Sequence, residues 1–311
     1  MKVLVDSMVN CKFCGSTDQK VHVAKERMFG LGGEFTYSEC LSCGSLQLET
    51  IPSDLSPYYA SGYYSLVGLT HSSFFRRFLK SLRMKAFYKF GSEFLEPSFG
   101  YWLKKIKPKF SDRIADIGCG NGQLLYEFYA SGFQNLHGFD PFIQKEHRIS
   151  PSLTIWKKRI EESDLKFDFI MMHHSFEHMP DPLAILKVCF EKLKAGGKLL
   201  IRTPVSDAQL WKDEGVFWVQ LDAPRHLVIP STKGMEQVAG KVGFILDEIE
   251  FDSSEFQFWG TGLYKKGLPL DQKLIEKNFK KEEIDSFKEN ALRYNQEGKG
   301  DQVCFYFRKP D

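Results

Sequence analysis

Residues 116–122 read DIGCGNG, an acid followed by glycines at 118, 120 and 122, with an apolar strand-like run before them and a helix-like run after. A glycine-rich turn between strand and helix lets backbone approach a ligand closely, because glycine carries no Cβ. The spacing selects among ligands. A dinucleotide fingerprint needs its third glycine where Gln123 stands, so NAD is disfavoured. A second acid, Asp140 in NLHGFDP, follows about twenty residues on, where the end of the next strand can offer a carboxylate to ribose hydroxyls.

Four cysteines form a second constellation. Cys11 and Cys14 (CKFCG) and Cys40 and Cys43 (CLSCG) make two C-x2-C pairs separated by 25 residues, each pair followed by glycine. Four thiolates close a tetrahedral shell around Zn²⁺, and a structural zinc stabilises a segment too small to bury a core. The alternatives are a redox C-x-x-C pair or two disulfides. Two pairs at this spacing favour a structural zinc ribbon. Cys119, Cys189 and Cys304 sit in apolar contexts and read as small hydrophobes.

A third string, HHSFEHMPDP, contains H-x-x-E-H as His174, Glu177 and His178. As a metalloprotease motif it would require a helix, and these residues end an apolar strand, so a catalytic metal is not expected. A fourth, DAPRHL, carries Asp222, Arg225 and His226 between aromatic stretches. A buried Arg-His pair needs partners, which gives it a binding role, against the alternative of a salt-bridged surface loop.

These residues must be placed by an alternation of strands and helices that runs from Arg113 to the final GDQVCFYFRKP and implies a parallel, doubly wound α/β sheet with ligands at the carboxyl ends of its strands. Residues 1–52 read as the zinc ribbon, 53–110 as a helical connector and possible lid, and 111–311 as the cofactor-binding domain, with 253–299 inserted near the active-site edge. The connector opens with PYYASGYYS and continues as a basic amphipathic helix over 74–90. Arg76, Arg77, Lys80 and Arg83 oppose Phe75, Leu79, Leu82 and Phe90, and no acid lies between Phe74 and Ser92. The helix is expected to cover the main domain with its basic face in water; the other reading is contact with a membrane surface or an anionic substrate.

The 311 residues, 42% hydrophobic and 26% charged with a net charge of +2, describe a globular protein without global polyanion-binding character. The ribbon segment has only four basic residues, balanced by acids, so nucleic acid is not an expected partner. The first residues lack a signal-peptide apolar core and no stretch approaches a membrane span, which makes a cytoplasmic location the expectation.

The D-x-G-x-G-x-G turn resembles motif I of class I S-adenosylmethionine-dependent methyltransferases, whose fold is a seven-stranded Rossmann-like sheet. With CKFCG, CLSCGSLQLE, PYYASGYYS, FEHMPDP, DAPRHL and GDQVCFYFRKP, the chain resembles a narrower branch of bacterial enzymes that carry an N-terminal zinc ribbon and are associated with sugar or polysaccharide biosynthesis. The resemblance implies S-adenosylmethionine held by Asp116, Gly118, Gly120, Gly122 and Asp140, with Glu161 near the adenine and His174 on the cofactor side. It implies an acceptor contacted by Tyr63, Tyr64 and Arg225, and His178 or His226 as general base. Related sugar C-methyltransferases use a Glu-His pair where this chain has Arg225-His226. Arginine cannot serve as a carboxylate base but suits binding of a phosphate or carboxylate on the acceptor, so O-methylation of a glycosyl acceptor is the leading expectation, with a lipid or quinone-like small molecule as the alternative.

Overall fold

The structure is a computed structural model that describes residues 10–59 and 68–311. Tyr63 and Tyr64, expected at the acceptor, lie outside the described residues.

The central sheet grows from short apolar runs. β4 (Ile114–Ile117) is buried along its whole length, as strands covered on both faces must be. Beside it on one side lie β5 (Leu136–Phe139), β7 (Leu153–Trp156) and the edge strand β6 (His147–Ser150); on the other lie β8 (Phe167–His173), β9 (Leu193–Pro204), β12 (Gln302–Arg308) and β11 (Ile245–Phe251). The order β11-β12-β9-β8-β4-β5-β7-β6 is parallel from β9 to β7, with β12 antiparallel to both β9 and β11. The seven expected strands are thus joined by an eighth, β6, which pairs antiparallel with β7. Strand order reverses at β4, so the ligand crevice opens at its carboxyl end.

Helices α3 (Gln123–Ala130), α4 (Pro182–Lys192) and α6 (Thr232–Val242) accompany the sheet. α4 starts where Asp181 caps the Ala184 amide at 3.0 Å and Pro182 takes the first helical position, the chemistry that ends the preceding HHSFEHM segment. The insertion between β11 and β12 holds α7 (Phe256–Lys265), the short α8 (Ile275–Asn278) and α9 (Lys281–Gln296). The connector contributes α1 (Phe74–Phe90) and α2 (Leu103–Ile106), and α5 (Gln209–Glu214) follows β9. No described helix is long and apolar enough to cross a membrane.

The ribbon is fused to this frame. Its strands β1 (Gln19–Lys25), β2 (Glu34–Cys40) and β3 (Leu46–Leu48) form a sheet whose fourth strand is β10 (Val228–Ile229), which begins two residues after His226. Tyr37, Leu46 and Leu48 share a buried cluster with Trp211, Trp218, Leu227 and Ile229. Cys11, Phe13, Cys40 and Cys43 pack into the cluster that includes Met235 and Val238 of α6. Ribbon and site loop therefore share one core.

Candidate active site

The glycine turn links β4 to α3. Gly118, Gly120 and Gly122 have φ of 72°, 52° and 82°, values that side-chain-bearing residues rarely adopt. A Cβ on Gly118 would fall 2.5 Å from Ser175 Cβ, so the segment after β8 closes directly over the turn. Ser175 Oγ donates to Ile117 O at 2.6 Å, fixing that closure. Asp140, at the end of β5, accepts from Gly120 N and Phe142 N at 2.9 Å each and is part-exposed. The second acid of the sequence motif is thus tied to the first turn.

The Asp116 carboxyl is buried and accepts no hydrogen bond among the described residues. Burial, then the nearby charge of Asp140, raises its pKa well above the usual carboxylate range. A buried acid without a partner, beside an open-backbone turn, is complementary to the cationic end of an amino-acid ligand. The cradle fits S-adenosylmethionine on these grounds. Glu161 lies on a solvent-exposed turn after β7, where Lys192 at the end of α4 donates to its carbonyl at 3.1 Å, and no contact ties it to the glycine turn among the described residues.

At the end of β8 the chain turns sharply at His174, φ 51°. Arg202 Nη1 donates to His174 Nε2 at 2.7 Å, which leaves the ring proton on Nδ1, facing Glu177 Oε1 at 3.5 Å. Both nitrogens address protein groups, so His174 belongs to the frame; the cofactor contact expected of it is not one that its ring nitrogens can make here. Arg202 is itself anchored by Asp252 at 2.5 Å, and Asp252 also accepts from Tyr101.

Glu177, His178 and His226 converge next. Glu177 is buried, with Oε2 accepting from Thr203 Oγ1 at 3.0 Å and Oε1 without a hydrogen bond. Burial alone would raise its pKa, but His174 and the neighbouring imidazoles outweigh this and hold it at about 2, so it is anionic. His226 Nδ1 donates to Gln220 O at 2.7 Å, which leaves a lone pair on Nε2, 3.8 Å from Asp222 Oδ2 and 4.0 Å from Glu177 Oε1. Its burial lowers its pKa while both carboxylates oppose that shift. His178 Nδ1 donates to Arg225 O at 2.8 Å, and its ring meets that of His226 at 5.0 Å. Ligand atoms of Glu177, His178 and His226 lie within 4.8 Å of one another. The one carboxylate–imidazole separation among them, 4.0 Å from His226 Nε2 to Glu177 Oε1, leaves the two groups coupled by charge and not by a direct hydrogen bond.

Arg225 departs from expectation. Fully buried, it spends every guanidinium N–H inside the protein: on Asp222 through Nε and Nη2 (2.9 and 2.5 Å), on Glu26 Oε1 through Nη1 and Nη2 (both 3.3 Å), and on Tyr58 O through Nη1 (3.1 Å). No donor is left for an acceptor anion. Arg225 positions the loop that carries His226. Glu177, Asp222 and Glu26 were not among the expected site residues; Glu177 and Asp222 lay in the quoted motifs, whereas Glu26 has no local signal.

The four ribbon thiols converge as the spacing implies, with Sγ–Sγ distances of 3.6 Å for Cys11–Cys43 and 3.5 Å for Cys14–Cys40. Thiolates around one zinc, at about 2.3 Å each, lie close to 3.8 Å apart, so the set fits the metal. Gly15 and Gly44 (φ 89° and 84°) donate to Cys11 O and Cys40 O, forming the tight turns after each pair.

The strand order and glycine cradle define the class I methyltransferase fold. A family model described as a methyltransferase domain matches residues 74–249, more than half of the chain, and the chain belongs to that family. It is 32% identical over 120 residues to a ubiquinone biosynthesis O-methyltransferase of Haemophilus ducreyi, covering 34% of this chain and 50% of that protein. It is 33% identical over 129 residues to a tRNA U34 carboxymethyltransferase of Helicobacter acinonychis, covering 37% and 49%. The matched region spans about half the length of these curated relatives. Among solved structures it resembles the cyclopropane synthase MmaA2 of Mycobacterium tuberculosis, with 20% identity, a TM-score of 0.45, and coverage of 67% of this chain and 81% of that one.

Proposed function

We propose that this protein is an S-adenosylmethionine-dependent O-methyltransferase whose acceptor is a small molecule with an acidic ring hydroxyl, of the quinol or phenol class. The observation that carries the reading is the His226 arrangement: a ring whose proton is fixed on Nδ1 by Gln220 O and whose free Nε2 lies beside two carboxylates. Asp116, Gly118, Gly120, Gly122 and Asp140 would hold the cofactor, which supplies a methyl already activated on a sulfonium.

The chain's own residues then have three tasks. The Ser175–His178 segment closes over the glycine turn and sets the acceptor wall. His226 Nε2 takes the acceptor proton as the oxygen attacks, and Glu177 and Asp222 stabilise the imidazolium that forms. Burial keeps His226 neutral beforehand, ready to accept. A ring hydroxyl with a pKa near 10 lies within reach of an imidazole base, whereas an alkyl sugar hydroxyl is far weaker as an acid.

The glycosyl acceptor expected from the sequence draws no support from the relatives above, whose names concern a quinone and a tRNA. The test is methyl transfer from methyl-labelled S-adenosylmethionine to a panel of 3,4-dihydroxybenzoate, nucleotide sugars and tRNA. Label on the ring hydroxyl supports the reading. Label confined to sugar or tRNA overturns it.

A further inference from the structure

Helix α1 is mounted with its apolar side outward, the reverse of the expected arrangement. Arg77 Nη1 donates to the Tyr129 hydroxyl at 2.7 Å, and Lys80 pairs with Glu127 at 2.5 Å. Arg83 donates to the carbonyls of Leu95 and Glu96. Part of the basic face is therefore spent on the main domain, and only Met84 and Phe87 of the helix are buried.

Phe75, Phe78, Leu79 and Leu82 occupy i, i+3, i+4 and i+7, a single helical stripe, and Phe74 and Phe90 extend it. Their exposures run from 47% at Leu79 and Leu82 to 79% at Phe74, and Phe94 just beyond the helix is 91% exposed. A contiguous apolar stripe of this kind marks an interaction surface. Arg76, Lys85 and Lys89 are exposed on or beside it without an ion-pair partner among the described residues, and the helix contains no acid.

We propose that α1 is an interfacial helix that docks the protein on an anionic lipid bilayer. An apolar stripe bordered by unpaired cations matches acyl chains beneath anionic headgroups. A second copy matches poorly, because two-fold pairing of this face would set its cations against themselves. The helix also sits beside the site. Thr70 N donates to Gln123 Oε1, and Ser72 N to the Tyr126 hydroxyl, both at 2.8 Å, so the entry to α1 lies against the helix that begins after Gly122. Docking would bring that rim of the cofactor crevice to the lipid surface. The inference stands independently of the acceptor assigned above.

The test is co-sedimentation of the 311-residue chain with phosphatidylcholine vesicles prepared with and without phosphatidylglycerol. Binding is expected only with phosphatidylglycerol, weakening as salt rises. Phe75→Ser/Phe78→Ser/Leu79→Ser should abolish it, and Phe75→Ser alone should weaken it several-fold. Arg76→Gln/Lys85→Gln/Lys89→Gln should lower partitioning about 100-fold, at roughly fivefold per cation removed. Each variant should keep its circular dichroism spectrum and its S-adenosylhomocysteine affinity, since these side chains touch neither core nor site. Absence of wild-type binding, undiminished binding by the folded Phe75→Ser variant, or retention of tRNA by these residues in place of vesicles would overturn the proposal.

Discussion

Arg225 Nη2 lies 3.3 Å from Glu26 Oε1, a buried ion pair between residues 199 positions apart that joins the zinc ribbon to the loop carrying His226. Removing one member of such a pair leaves an uncompensated buried charge. Arg225→Ala is therefore expected to destabilise the protein by about 3–5 kcal/mol, measured by chemical denaturation. A loss below about 1 kcal/mol, with a raised acceptor Michaelis constant, would restore the anion-binding role.

The same seam governs the response to zinc removal. Elemental analysis should find one zinc per chain, held by Cys11, Cys14, Cys40 and Cys43. An isolated ribbon would melt before the cofactor domain on chelation, but β3 pairs with β10 and the Tyr37 hydroxyl donates to His226 O at 2.8 Å. Chelation should accordingly lower the melting temperature in one transition and remove methyl transfer with it. Two separated transitions, with activity surviving the first, would show that the ribbon is dispensable to the site.

Asp116→Asn separates ligand binding from stability. Because burial and Asp140 raise the folded-state pKa of Asp116, its contribution to stability is present below the unfolded-state carboxyl pKa and is lost as pH rises through the raised value. Asparagine removes that loss, so the ligand-free melting temperature at neutral pH should hold or rise. Affinity for S-adenosylhomocysteine should fall roughly 10- to 100-fold with the lost charge-assisted contact, read by calorimetry. Unchanged affinity would place the cationic end of the ligand elsewhere.

The pH dependence of turnover reports on His226. Its burial-lowered pKa puts the acid limb of kcat below the ordinary histidine range, with a plateau at neutral pH. Glu177 raises that pKa, so Glu177→Gln should move the limb to lower pH and reduce the plateau, since the imidazolium loses a counter-charge. A limb that stays in place would mean that Glu177 does not face the titrating group.

Much of the cofactor side was legible because its signals are local. DIGCGNG and Asp140 are read from spacing within one strand-helix-strand unit, and the cysteine pairs from their own turns. The acceptor side was less so. Burial of Arg225 depends on Glu26 and Tyr58, which no local pattern links to it. Periodicity revealed two faces of α1 but not which one turns inward; Glu127 and Tyr129 on α3 decide that. The edge strand His147–Ser150 was missed because HRIS is short and only partly apolar, and its pairing with β7 supplies what its composition lacks.

The most direct test of the account is single-turnover methyl transfer to 3,4-dihydroxybenzoate by His226→Ala, compared with wild type and with His178→Ala. His226→Ala is expected to lose about 100-fold or more, with S-adenosylhomocysteine affinity unchanged, because general-base catalysis acts in the transition state. His178→Ala should lose less. Near wild-type transfer by His226→Ala, or a loss traced wholly to weaker cofactor binding, would contradict the assignment of His226 as the base.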